Sequence, residues 1–179
     1  MPAFKALNKT YTGFTYCCAG LLALGILARG APAFAEVALK ADHVVVQKAQ
    51  RKLFLYHGGI VFREYSIALG PRSRGHKQRE GDERTPEGRY LLDFKFPDSD
   101  YYKAIHISYP NQQDIQRAAS LGVDPGGSIM IHGMPEQSKF PDSLVQRFNW
   151  TNGCIAVTNR EMEEIWHAVG EGTPIDILP

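Results

Sequence analysis

The chain has 179 residues, 44% hydrophobic and 22% charged, with a formal net charge of +1. This length suits one domain with a sizeable core and is too short for two comfortable ones, and the near-balanced charge argues against general nucleic-acid binding. Three cysteines exclude a disulfide framework.

The first residues read as an address. Lys5 and Lys9 form a positive n-region, Cys17 to Ala28 is apolar, and Ala33-Phe34-Ala35 before Glu36 fits an A-x-A cleavage site. The apolar run is short of the roughly 20 residues that span a bilayer, so a cleaved leader is favoured over a retained anchor. Residues 1–35 are therefore expected to be a signal peptide and 36–179 the mature domain, placed in the periplasm or cell envelope. Without Lys5, Lys9 and Arg29 the balance becomes 17 basic against 19 acidic residues, a net −2. One cysteine, Cys154, then remains. In an oxidising compartment a leftover thiol means intermolecular pairing, chemistry, or a small buried side chain.

From His43 the pattern is period-two. Val44 to Val46, Leu53 to Tyr56 and Ile60 to Phe62 read as an antiparallel meander, with Gly58-Gly59 as a hairpin turn and the third strand continuing to Gly70. The polar stretch from Pro71 to Arg89 reads as a solvated loop, or else as a rim for a charged substrate. Strands follow at Arg89 to Leu92 and Ala104 to Tyr109. Asn111 is a good N-cap for a short helix that Gly122 closes. Ile129 to Ile131 is a buried strand delivering His132. The loop after it, with one or two helical turns over 142–148, is a natural lid. Past the strand Ile155 to Val157, Thr158 and Glu161 form a capping box. They open a helix with Met162, Ile165, Trp166 and Val169 inward, and Ile175 to Ile177 is the last strand.

The chemistry gathers at His132 and Cys154. Each adjoins a glycine and a short apolar run, so the two side chains can meet at the ends of neighbouring strands. An imidazole there takes the thiol proton, and the thiolate attacks a carbonyl. No acid stands in an obvious place to orient the ring, which leaves the Gly133 backbone carbonyl. The N–H groups of Gly153 and Cys154 are candidate oxyanion donors. The six histidines show no metal-binding spacing, and no metal or cofactor is expected.

The pair His132-Gly133 with Thr151-Asn152-Gly153-Cys154 resembles the signature of the YkuD-type L,D-transpeptidases. The likeness extends through Gly81 to Gly88, Ser108-Tyr109-Pro110-Asn111 and Thr158 to Glu161, and looks closest to the YafK-like single-domain branch. It implies a mainly β (α+β) fold, a YkuD-like β-sandwich catalytic domain with two or three short helices. It implies an enzyme acting on peptidoglycan stem peptides. In such enzymes the cysteine expels terminal D-alanine, forms a thioester, and passes the acyl group to a second stem peptide, a lipoprotein lysine or a D-amino acid. Cys154 would be the nucleophile and His132 the general base and then acid. Arg84, His106, Tyr109, Thr151 and Asn152 are the expected substrate contacts, and carbapenems are expected to acylate the thiol. Many members carry a histidine and an arginine where this chain has Asn152 and Ala156, which bears on the acceptor. A hydrolase of the same fold, either an L,D-carboxypeptidase or an amidase releasing wall-bound lipoprotein, is the nearest alternative. A non-catalytic wall-binding module is the alternative from another class.

Overall fold

Alternation decides the first strands. In β1 (His43–Gln47) and β2 (Lys52–His57) the side chains of Val44, Val46, Leu53 and Leu55 point inward and are fully buried. Gly58 and Gly59 both take positive φ, 57° and 78°, as a two-residue turn matched to strand twist requires. The turn leads into β3 (Ile60–Ser66). The computed structural model describes residues 39–135, 141 and 146–179. The expected leader lies outside them, as does most of the expected lid.

The remaining elements are β4 (Gly88–Ser99), β5 (Tyr102–Ile107), α1 (Gln112–Ser120), β6 (Met130–His132), β7 (Ile155–Ala156), α2 (Asn159–Ala168) and β8 (Thr173–Leu178). They build one eight-stranded sheet in the order β3-β2-β1-β8-β4-β5-β6-β7. The domain is thus mainly β with two described helices. The first three strands form the expected antiparallel meander. β8 returns from the far end of the chain to pair parallel with β1 and antiparallel with β4. Ala68, just past β3, exchanges backbone hydrogen bonds of 2.8 and 2.9 Å with Ala156 of β7. The first and last strands of the order are therefore joined, and the sheet curls around its own core.

Both helices begin as their sequences dictate. Asn111 with Asp114, and Thr158 with Glu161, complete capping boxes. Met162 and Ile165 of α2 are fully buried against the inner face of the sheet, in one cluster with Ile105, Ile131 and Ile155. No described helix is long and apolar enough to cross a membrane.

The polar stretch 71–89 departs from the expectation of a solvated loop. Lys48, 4% exposed, reaches from the end of β1 to donate to the Gly75 and Thr85 carbonyls and to Glu87, at 2.8 to 2.9 Å. Burial holds its ammonium below the ordinary lysine range, partly offset by Glu87. Further along, the Asp82 carboxylate accepts from Lys77 Nζ and from the N–H groups of Gln78, Arg79 and Arg84. Burial pushes that carboxyl up, but these donors outweigh it and hold it below its usual value. Two of the charges, Lys77 and Asp82, are internal staples of the loop, while Arg72, Arg74, Arg79 and Glu80 are exposed as expected. Lys48→Met is expected to cost about 2–4 kcal/mol in urea denaturation, because it strands Glu87 and two carbonyls together. A loss under about 0.5 kcal/mol would mean the loop holds itself.

Candidate active site

β6 ends at His132, and β7 begins one residue after Cys154. The two strands pair in parallel, Ile131 opposite Ile155 and His132 opposite Ala156. Since successive side chains alternate, Ile131 and Ile155 enter the core while His132 and Cys154 emerge together on the other face. They line one cleft of about 330 Å³ with Thr151, Asn152, Ser128, Met130, Trp150 and the residues Ser99 to Tyr101. Among the described residues no cation lines this cleft, and no group of three or more His, Cys, Asp or Glu is placed to hold a metal.

His132 is 5% exposed. Its Nδ1 lies 2.7 Å from the Gly133 carbonyl. A carbonyl only accepts, so this nitrogen carries the hydrogen and Nε2 keeps its lone pair. Burial lowers the pKa of the ring below the usual histidine value, and the Gly133 carbonyl offsets this in part. The ring is packed by Tyr101, with centroids 4.6 Å apart, and by Trp150 edge-on at 5.7 Å. Cys154 Sγ donates to the Ser128 carbonyl at 3.6 Å. Burial pushes its thiol up, and the Met130 N–H and Lys77 counter this only in part. Both shifts favour the uncharged forms, thiol and neutral imidazole, over a thiolate–imidazolium pair.

The turn before the thiol is fixed by Thr151. Its hydroxyl donates to the Cys154 carbonyl at 2.7 Å and accepts the Gly153 N–H at 3.3 Å. This corrects the pairing of Gly153 and Cys154 amides as oxyanion donors: the Gly153 N–H is already taken. The Cys154 N–H has no acceptor among the described residues. Gly153 has another reason to be glycine. Its φ is +119°, and a methyl group there would lie 2.5 Å from the Arg84 carbonyl oxygen.

Three expected substrate contacts are not in the cleft. Arg84 turns its guanidinium toward the His76 carbonyl at 3.5 Å, and its backbone N–H donates to Asp82 Oδ1 at 3.1 Å. His106 shares the outer face with Met130, as alternation predicts, but Asp93 holds its Nδ1 at 2.7 Å. Tyr109 is 3% exposed, with its hydroxyl donating to the Pro125 carbonyl and its ring against Tyr90. It belongs to the core. Ala156 is fully buried against Ala68. Thr151 and Asn152 do line the cleft.

The sequence reading missed the tip of the β4–β5 hairpin. Ser99 pairs with Tyr102, leaving Asp100 and Tyr101 as the two tip residues. The turn composition was visible, but nothing local says that it folds over His132. The enabling signal is Gly133: a methyl group there would lie 3.2 Å from the Tyr101 carbonyl oxygen and 2.5 Å from Asn159 Oδ1.

A curled, mainly β domain with a histidine and a free cysteine on adjacent parallel strands defines a class, and comparison with known proteins identifies it. The family model described as YkuD, L,D-transpeptidase catalytic domain, matches residues 41–177, so the chain belongs to that family. It is 39% identical over 108 residues to a protein of Escherichia coli (strain K12) named "Putative L,D-transpeptidase YafK", covering 59% of this chain and 34% of that protein. Among solved structures it resembles the helical cell shape determining protein Pgp2 from Campylobacter jejuni, with a TM-score of 0.57 and 29% identity over 75% of this chain and 46% of that one. Bd1075 from Bdellovibrio bacteriovorus gives 0.52 and 25%, again over 75% and 46% of the two chains. An Enterococcus faecium L,D-transpeptidase shares the fold at 0.51 and 16% identity, over 78% of this chain and 50% of that one. The chain spans about a third of the curated relative and about half or less of these structures.

Proposed function

We propose that this domain is a cysteine-dependent L,D-transpeptidase acting on peptidoglycan stem peptides, exported by its leader to the cell envelope. The observation that carries this reading is the shared cleft. It is lined both by the thiol that precedes β7 and by an imidazole at the end of β6 oriented by the Gly133 carbonyl.

His132 Nε2 takes the proton of the Cys154 thiol as sulfur attacks the carbonyl carbon of the third stem residue. The oxyanion that forms is met by the Cys154 N–H. Collapse breaks the amide bond, the imidazolium gives its proton to the departing D-alanine nitrogen, and a thioester remains. An amine acceptor then attacks the thioester, His132 takes the acceptor's proton, and the sulfur leaves and recovers a hydrogen. Acceptors of this chemistry are a second stem peptide, a lipoprotein lysine or a D-amino acid. A carbapenem acylates the same sulfur by opening its lactam.

The test is product analysis of a disaccharide-tetrapeptide incubated with the protein, with and without an amine acceptor. Release of D-alanine with acceptor incorporation is the expected result. Release with water alone as acceptor would reassign the domain as an L,D-carboxypeptidase. A second substrate, a muropeptide whose third stem residue carries a lysine-linked peptide, tests the remaining hydrolase: release of that peptide with no release of D-alanine from the tetrapeptide would make the domain an amidase. Stem binding without any release would leave a wall-binding module.

A further inference from the structure

The cleft is one-sided in charge. Asp100, at the hairpin tip, is the one charged side chain among the described residues lining it. It is exposed and forms no ion pair with any described residue. Among the described bases, Lys77 is paired with Asp82 and Lys103 with Glu163.

The tip is held in place. Tyr101 lies on the His132 ring, its carbonyl rests where a side chain on residue 133 would be, and its N–H donates to Ser99 Oγ at 3.2 Å. Tyr102, with φ of +67°, turns the chain back into β5. A carboxylate that no described residue pairs with is thereby placed at the edge of the cavity that holds the nucleophile. Water solvates it in the resting protein, and a bound cation would replace that water.

Resting on the reading of this cleft as a stem-peptide site, we infer that Asp100 is a specificity residue that binds the side-chain ammonium of the donor stem's third residue. The chemistry favours the donor over the acceptor. A carboxylate paired to the attacking amine holds that nitrogen protonated and opposes its nucleophilic role, whereas an ammonium that takes no part in bond making suffers no such penalty. The site thus selects stems whose third residue carries a primary amine at its side-chain end.

The test uses binding, so that it does not depend on turnover. Calorimetric titrations on Cys154→Ser compare a tetrapeptide stem containing diaminopimelate with the same stem containing 2-aminopimelate, which lacks only the ammonium, at low and at 0.5 M salt. The expected result is about five- to tenfold tighter binding of the diaminopimelate stem at low salt, shrinking as salt screens the pair. In Cys154→Ser/Asp100→Asn the preference falls to about one. Asp98→Asn, an exposed neighbour on the same hairpin that does not line the cleft, keeps it.

Equal binding of the two stems to Cys154→Ser, a preference that survives Asp100→Asn, or no binding of either stem would each overturn the inference. An acceptor role would appear as an Asp100→Asn effect confined to acceptor KM in the wild-type background, and it would overturn the donor assignment. Normal selectivity in a protein that releases no D-alanine would sink the proposed activity and leave this inference standing.

Discussion

His132→Gln is expected to lower turnover of a stem tetrapeptide by about 10³-fold, within the range that a positioned general base supplies. Glutamine keeps much of the volume between Tyr101 and Trp150 but cannot take a proton. The effect should fall on kcat, with KM little changed, because the ring is buried and acts on the reacting sulfur. The pH profile carries the same information. Burial disfavours imidazolium, so the acid limb of wild-type kcat/KM should have its midpoint below the ordinary histidine value of about 6.5. The variant should lack that limb. Stability follows with a worked sign. The folded pKa is depressed, so the unfolded chain binds the proton first on acidification. The contribution is fully present above about pH 6.5 and is lost as the pH falls toward the lower folded value. A variant within threefold of wild type would remove His132 from the chemistry.

Gly153→Ala should be nearly as damaging, for a steric reason. The added methyl would sit 2.5 Å from the Arg84 carbonyl oxygen and 3.2 Å from Ile129 Cδ1, at a φ of +119° that other residues rarely adopt. The first obstacle is backbone, with the Arg84 N–H held by Asp82, and the second is the end of a side chain buried in the core. The turn must therefore move, and displacing a nucleophile by about 1 Å can cost about 10²-fold in rate. A stability loss of about 3 kcal/mol is expected alongside. Gly172→Ala is the control. It also has positive φ, +82°, but meets nothing within 4 Å. It should cost about 1 kcal/mol and leave the rate unchanged. Equal rates for the two variants would mean that the Arg84 contact does not position the thiol.

The strands, both capping boxes and the placing of His132 and Cys154 on one cleft were legible because each depends on local periodicity or a local signature. The orienting contact from Gly133 joins adjacent residues, so it too lay within reach of the sequence. What escaped depends on partners that periodicity does not name. Alternation gives a residue its face, yet it did not show that Asp93 would hold His106, or that Tyr109 would be sealed under Tyr90 and Pro125. The run from Arg72 to Arg84 looked solvated by composition. It is stapled from within by Lys77 and Asp82, and from a distant strand by Lys48. The Thr151 hydroxyl intercepts the Gly153 N–H through the curvature of the turn, which residue identity alone did not reveal. The hairpin tip over His132 follows from the closure of the sheet and from one missing side chain at Gly133.

The central claim is that Cys154 carries the acyl group, and intact-mass measurement tests it most directly. Wild-type protein and Cys154→Ser are each mixed with a disaccharide-tetrapeptide, quenched in acid within seconds, and weighed. The expected result is an adduct on wild type equal to the stem minus D-alanine, labile to hydroxylamine, and none on the serine variant. Release of D-alanine with no adduct and an undiminished rate in Cys154→Ser would contradict it.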